Sequence, residues 1–185
     1  MEQRDINSRT RADTFGLRPD LFDALAGNMV KQSDLDSLLP NYGSVYCSKG
    51  GNGKNMFIPF DTASEAMRGC SIADTKDGIR LDAVGQWEIM CIAAAWSNAL
   101  LPSNSELRVE LWSPEGVFVK RQVASVISPI SSSFPVTVIR SFVVDRPGYV
   151  VKAWVNNDGG GQWNFSDVTF MSASYKYNGN PLGGV

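Results

Sequence analysis

From about residue 43 onward the apolar residues of this chain recur with period 2, and turn signals interrupt them at short intervals. That pattern describes an all-β sandwich, because alternation places one set of side chains inside and the other outside a pleated sheet. Leu107, Val109 and Leu111 alternate with Arg108, Glu110 and Trp112, giving a strand with one buried and one exposed face. Tyr149, Val151, Ala153 and Val155 repeat the pattern against Val150, Lys152 and Trp154. Further strands are expected near 56–60, 79–83, 86–96, 117–124, 136–144 and 165–177. Turns at Ser113-Pro114-Glu115-Gly116, Arg146-Pro147-Gly148 and Asn156 to Gly161 separate them. Eight or more short strands with no helix between them predict a mainly β fold, a sandwich or jelly roll, spanning residues 43–185.

Residues 1–42 follow other rules. The first sixteen are polar and charge-mixed without period, and are expected to order only against a partner. Pro19 then suits the first turn of a helix carrying Leu21, Phe22 and Leu25, with Gly27-Asn28 as its stop. In a second helix Ser33 and Asp36 fit capping-box spacing, Leu35, Leu38 and Leu39 share one side, and Pro40 ends it. Helices this short are marginal alone, so these six apolar residues are expected to anchor the arm on something else.

Charge and residue type exclude whole classes of function. The 17 basic and 19 acidic groups leave a net charge of -2, with no basic face for a phosphate backbone, so nucleic acid is not an expected partner. No apolar run reaches the length of a membrane span, and the first thirty residues are too charged for a signal peptide. Membrane insertion is therefore not expected, and the chain is expected to stay in the cytoplasm unless an assembly carries it out. The chain contains no histidine, which removes Ser-His-Asp and Cys-His nucleophiles, His-ligated zinc and the commonest general base. Cys47, Cys70 and Cys91 have no metal-ligand spacing and are odd in number; they read as reduced, small apolar residues, with an intersubunit disulfide as the alternative.

Other motifs have a bland reading and a sharp one. Gly50 to Asn55 imitates a phosphate loop but has Ser48 where that loop needs glycine and Asn55 where it needs a hydroxyl, so it reads as a flexible loop. Asn156 to Gly161, with Asp158 and the nearby Asp167, offers oxygen ligands for calcium, although the spacing is not that of an EF-hand and a plain turn is expected. Trp163, Asn157 and Asp158 are candidates for surface recognition, with Trp112 beside them, and both tryptophans equally suit packing on a neighbouring subunit. Glu88, Glu110 and Asp145 read as polar positions of strands and turns, not as a catalytic carboxylate pair. No cofactor is expected.

The β region resembles the C1q and tumour-necrosis-factor-like jelly-roll heads, including the versions found on phage appendages. The resemblance rests on Gly85-Gln86-Trp87 leading into the apolar strand Glu88 to Ile92, and on the hairpin from Leu107–Trp112 to Val117–Val119. It continues in Arg146-Pro147-Gly148-Tyr149-Val150-Val151, which is similar to that family's Gly-Asp-x-Val segment with Tyr149 in place of the acidic residue. The strand Val168 to Tyr175 matches its closing strand in position but lacks the usual glycine. Coverage runs from about residue 56 to 177.

What the resemblance implies is a homotrimer packed around a threefold axis. Strands apolar on both faces, Ile89 to Trp96 and Val150 to Val155, agree with it, and a thick monomeric core is the alternative. The expected function is that of a tailed-phage virion structural protein, located in the virion, docked to other virion proteins through its arm and contacting a host surface glycan or protein. Tail fibre and capsid decoration both fit. A small carbohydrate-binding module and a hydrolase are the readings from other classes.

Overall fold

A computed structural model of the chain describes residues 40–97, 103–128, 132–159, 162–165 and 169–177. Leu21, Phe22, Leu25, Leu35, Leu38 and Leu39, and with them both arm helices, lie outside the described residues, as does Asp167. The described residues belong to one compact unit, Pro40–Val185. Tyr42, the last residue the sequence assigned to the arm, opens its first strand.

Thirteen strands are described: β1 (Tyr42–Tyr46), β2 (Asn52–Gly53), β3 (Met56–Phe57), β4 (Thr62–Ala63), β5 (Cys70–Ile72), β6 (Gly78–Leu81), β7 (Gly85–Ser97), β8 (Ser103–Trp112), β9 (Phe118–Ser128), β10 (Ser132–Val144), β11 (Tyr149–Asn157), β12 (Gln162–Asn164) and β13 (Phe170–Tyr177). They form two antiparallel sheets. In the first, β7 pairs with β10 along its full length on one side, and on the other with β13 and then β12; β1 and β4 continue beyond β13, and β2 beyond β12. The second runs β5-β6-β11-β8-β9, with β3 also on β11.

The strands lie within a few residues of those expected wherever a clear apolar period marked them. Segment 56–60 differs: only Met56 and Phe57 are strand, while Ile58 and Phe60 drop into the core from irregular chain. The short strands β1, β2, β4, β5 and β12 were not expected, and β2 makes part of the Gly50–Asn55 segment a paired edge rather than a flexible loop.

Facing rows from the two sheets build the core. Trp87, Ile89, Cys91, Ala93 and Ala95 of β7 are fully buried, and they face a layer that contains Ile79, Leu107, Val109, Val151, Ala153 and Val155, also fully buried. Polar atoms brought inside find partners, as buried polar groups must. Trp87 donates Nε1–H to the Ala83 carbonyl at 2.9 Å, and Trp163 donates its own to the Asn156 carbonyl at 2.8 Å. The hairpin from β8 to β9 turns through Pro114, which presets the first bend, and Gly116 at φ 78°, a conformation that a side chain disfavours.

Candidate functional site

Two long strands end the sheets on the same side of the sandwich. β9 pairs with β8 alone and β10 with β7 alone, so among the described residues each leaves one backbone edge open. Such an edge is ordinarily blunted by charge or proline, since unpaired N–H and C=O groups template pairing with another chain. β9 carries Lys120 and Arg121 at its start, and Pro135 interrupts the N–H row of β10. The remaining outward positions alternate small polar residues, the exposed Ser125, Thr137 and Ser141, with branched aliphatics: Val123 is 37% exposed, Ile127 75%, Ile139 59% and Val143 74%. Ladder register extends this surface across the first sheet, because Ile139 stands beside Met90, and Ile92 beside Phe170. Met90, Ile92 and Phe170 are half-buried. The sequence read β7 as apolar on both faces; its inward face is core, and its outward face belongs to this patch. On the inward row of β10, Arg140 buries Nε with no hydrogen-bond partner.

The residues singled out for recognition are not brought together at the surface. Trp163 is fully buried in the core and cannot present itself to a receptor or to a neighbouring copy. Asn157 is also buried, donating Nδ2–H to Ser105 Oγ at 2.6 Å and accepting from the Gly159 amide at 2.9 Å. Both belong to the architecture of the loop, not to its outer surface. Asp158 is exposed and accepts from Asn156 Nδ2 at 3.0 Å. Among the described residues no three His, Cys, Asp or Glu side chains converge on a metal position.

Trp112 is half-buried between Phe57 and Phe118, in edge-to-face contacts at 6.0 and 5.9 Å, and donates Nε1–H to Glu110 at 3.2 Å. Glu110 was expected on an exposed face and is instead buried, flanked in the ladder by Lys152 and Arg121. Glu88 pairs with Lys176 at 2.8 Å, and Asp145 accepts from the Tyr149 hydroxyl at 3.0 Å. Hydrogen bonding to that carboxylate pushes the Tyr149 hydroxyl pKa up. None of these carboxylates faces another as a hydrolytic pair.

All three cysteines are free and buried. Burial, reinforced by the nearby Asp61 carboxylate, pushes the Cys47 thiol up to about 12. Burial likewise raises Cys70 to about 12, and it raises Cys91 as well. None is a thiolate at neutral pH, which is the form a nucleophile or metal ligand needs.

Comparison with known proteins now supports the fold. No protein-family model matches the chain, and no curated protein does. The solved structure of Eiger, a TNF from S. frugiperda, superimposes with a TM-score of 0.58 at 7% sequence identity, covering 79% of this chain and 98% of that one. The chain therefore has the jelly-roll fold of a TNF domain.

Proposed function

We propose that this chain is a non-enzymatic jelly-roll head that assembles as a homotrimer through the β9–β10 edge and the outward face of the first sheet. The observation that carries this reading is the exposure of large aliphatics, Ile139 and Val143 on β10 and Ile127 on β9, on the two strands whose backbone edges are open among the described residues. Left uncovered, such edges promote irregular association; a closed ring of copies removes them from water. The TNF-type fold supports three as the number of copies.

On this reading the setting remains the one expected from the sequence, a tailed-phage virion, on the tail or the capsid. Residues 1–39 dock on other virion proteins and the head faces outward, where it meets a host surface. What supports it is the contrast between a charge-mixed, leucine-bearing N-terminal segment and a balanced head with twelve groups of each sign. Light scattering at micromolar concentration tests the assembly: about three times the 20.2 kDa chain mass is expected, and a stable monomer overturns it. Mass spectrometry of purified particles tests the setting, and absence of the chain from them overturns that part alone.

A further inference from the structure

The outward face of the second sheet carries an open pocket of about 440 Å³, on the opposite layer from Ile139 and Val143. Its size falls within the roughly 300–1,000 Å³ range of small-molecule sites. The floor is set by ladder register: Arg80, Val150 and Trp112 stand abreast on β6, β11 and β8, and Lys152 follows on the same face of β11. One wall is the turn from β5 to β6, with Asp74 and Thr75; the other is the Pro114 hairpin.

Gly78 holds the first wall close. A Cβ there would stand 2.0 Å from the Val151 carbonyl oxygen, so only glycine lets the turn approach β11 near enough for Asp77 to meet Lys152 at 2.8 Å.

The charges of the pocket are already matched. Lys152 is paired with Asp77, which also accepts from the Thr75 hydroxyl. Arg80 pairs with Asp82 at 2.9 Å and stands 3.7 Å from Asp74. With three carboxylates around two cations, an anion gains no net attraction here, and the carboxylates do not converge on a cation site. What remains is an aromatic and aliphatic floor beside a donor and an acceptor a few ångströms apart. The Asp74 side chain is 91% exposed and Arg80 39%, so both keep hydrogen-bonding capacity toward solvent. A sugar ring matches that arrangement: one C–H face is apolar, and adjacent hydroxyls present a donor and an acceptor at similar separation.

We infer that this pocket is a binding site for a neutral saccharide, seated against Trp112 and Val150 with neighbouring hydroxyls shared between Asp74 and Arg80. The inference does not rest on the assembly reading, since every residue it uses lies in one chain.

Saturation-transfer NMR on the full chain tests it, with the methyl glycosides of glucose, galactose, mannose and N-acetylglucosamine as probes and glucuronic acid as the charged comparison. At least one neutral glycoside is expected to show transfer. Trp112→Ala should weaken its binding at least tenfold. Asp74→Ala, a change at an exposed side chain that cannot disturb the core, should weaken it at least fivefold with the melting temperature unchanged. Silence from all four neutral probes, preference for glucuronic acid, or binding indifferent to Asp74→Ala would each overturn the inference.

Discussion

Ile139 of β10 and Met90 of β7 stand opposite one another on the outward face of the first sheet, and Ile139 keeps 59% of its surface exposed there. Hydrophobic burial is worth about 25 cal/mol per Å², so a face of this kind gains from being covered. Replacing Ile139 and Val143 together by glutamate places two charges on that face without touching the inward rows. The double variant is expected to sediment as a monomer with an unchanged far-UV circular dichroism spectrum. Persistence of the wild-type assembly would show that copies meet elsewhere.

Gly78→Ala tests the close approach of β6 to β11. The added Cβ meets a backbone oxygen, which cannot swing aside as a side chain can, so overpacking of roughly 1–3 kcal/mol is expected. In a chain of this size that lowers the melting temperature by several degrees. Scanning calorimetry reads it, and an unchanged transition would mean that the turn relaxes freely.

Trp163 and Asp158 lie five residues apart and should respond oppositely. Trp163→Ala removes a fully buried indole and its hydrogen bond to the Asn156 carbonyl, and is expected to cost about 3–5 kcal/mol in denaturant unfolding. Asp158→Ala alters an exposed carboxylate and should stay within about 0.5 kcal/mol of wild type.

Those two residues also show what was legible in the sequence. Long strands announce themselves through alternation: Leu107, Val109 and Leu111 are buried as their spacing requires. Two-residue strands such as β2 and β4 carry no period and exist only because a longer neighbour offers its edge. Trp163 was misread because a tryptophan in a glycine-rich, polar stretch looks exposed locally, whereas β12 is pulled onto β7 by pairing across more than sixty residues. Glu110 failed in the same way, since nothing local reports its neighbours Lys152 and Arg121. For the pocket the signal was present but scattered: Arg80, Trp112 and Lys152 become neighbours only through the register of three strands.

The cysteines should be chemically silent while the chain is folded. With their thiols raised by burial to about 12 for Cys47 and Cys70, and upward for Cys91, the thiolate fraction at pH 7 is negligible and access is closed. Iodoacetamide is expected to label none of the three within the time that labels free cysteine completely, and all three after unfolding in guanidinium. Rapid labelling of the native chain, or a disulfide-linked Cys47–Cys91 peptide from a non-reduced digest, would contradict this.

The boundary between arm and head can be placed by two truncations that differ by a single strand. Tyr42 bridges to Arg68 through paired backbone hydrogen bonds of 3.0 and 2.7 Å, and its ladder with β13 runs from Ser174 to Phe170. Val45, within that strand, is fully buried. Removing residues 1–39 leaves every one of these interactions in place, so the shortened chain should be soluble, cooperative in unfolding and close to the full chain in melting temperature. Removing residues 1–46 deletes β1, exposes the edge of β13 and empties the space that Val45 fills. Loss of that buried side chain alone costs on the order of 1–3 kcal/mol, and the lost ladder adds to it. The longer truncation is therefore expected to aggregate or to unfold well below the shorter one in a thermal melt. Equal stability of the two would show that β1 is not part of the head. Failure of the shorter one to fold would show that residues 1–39 supply part of its core.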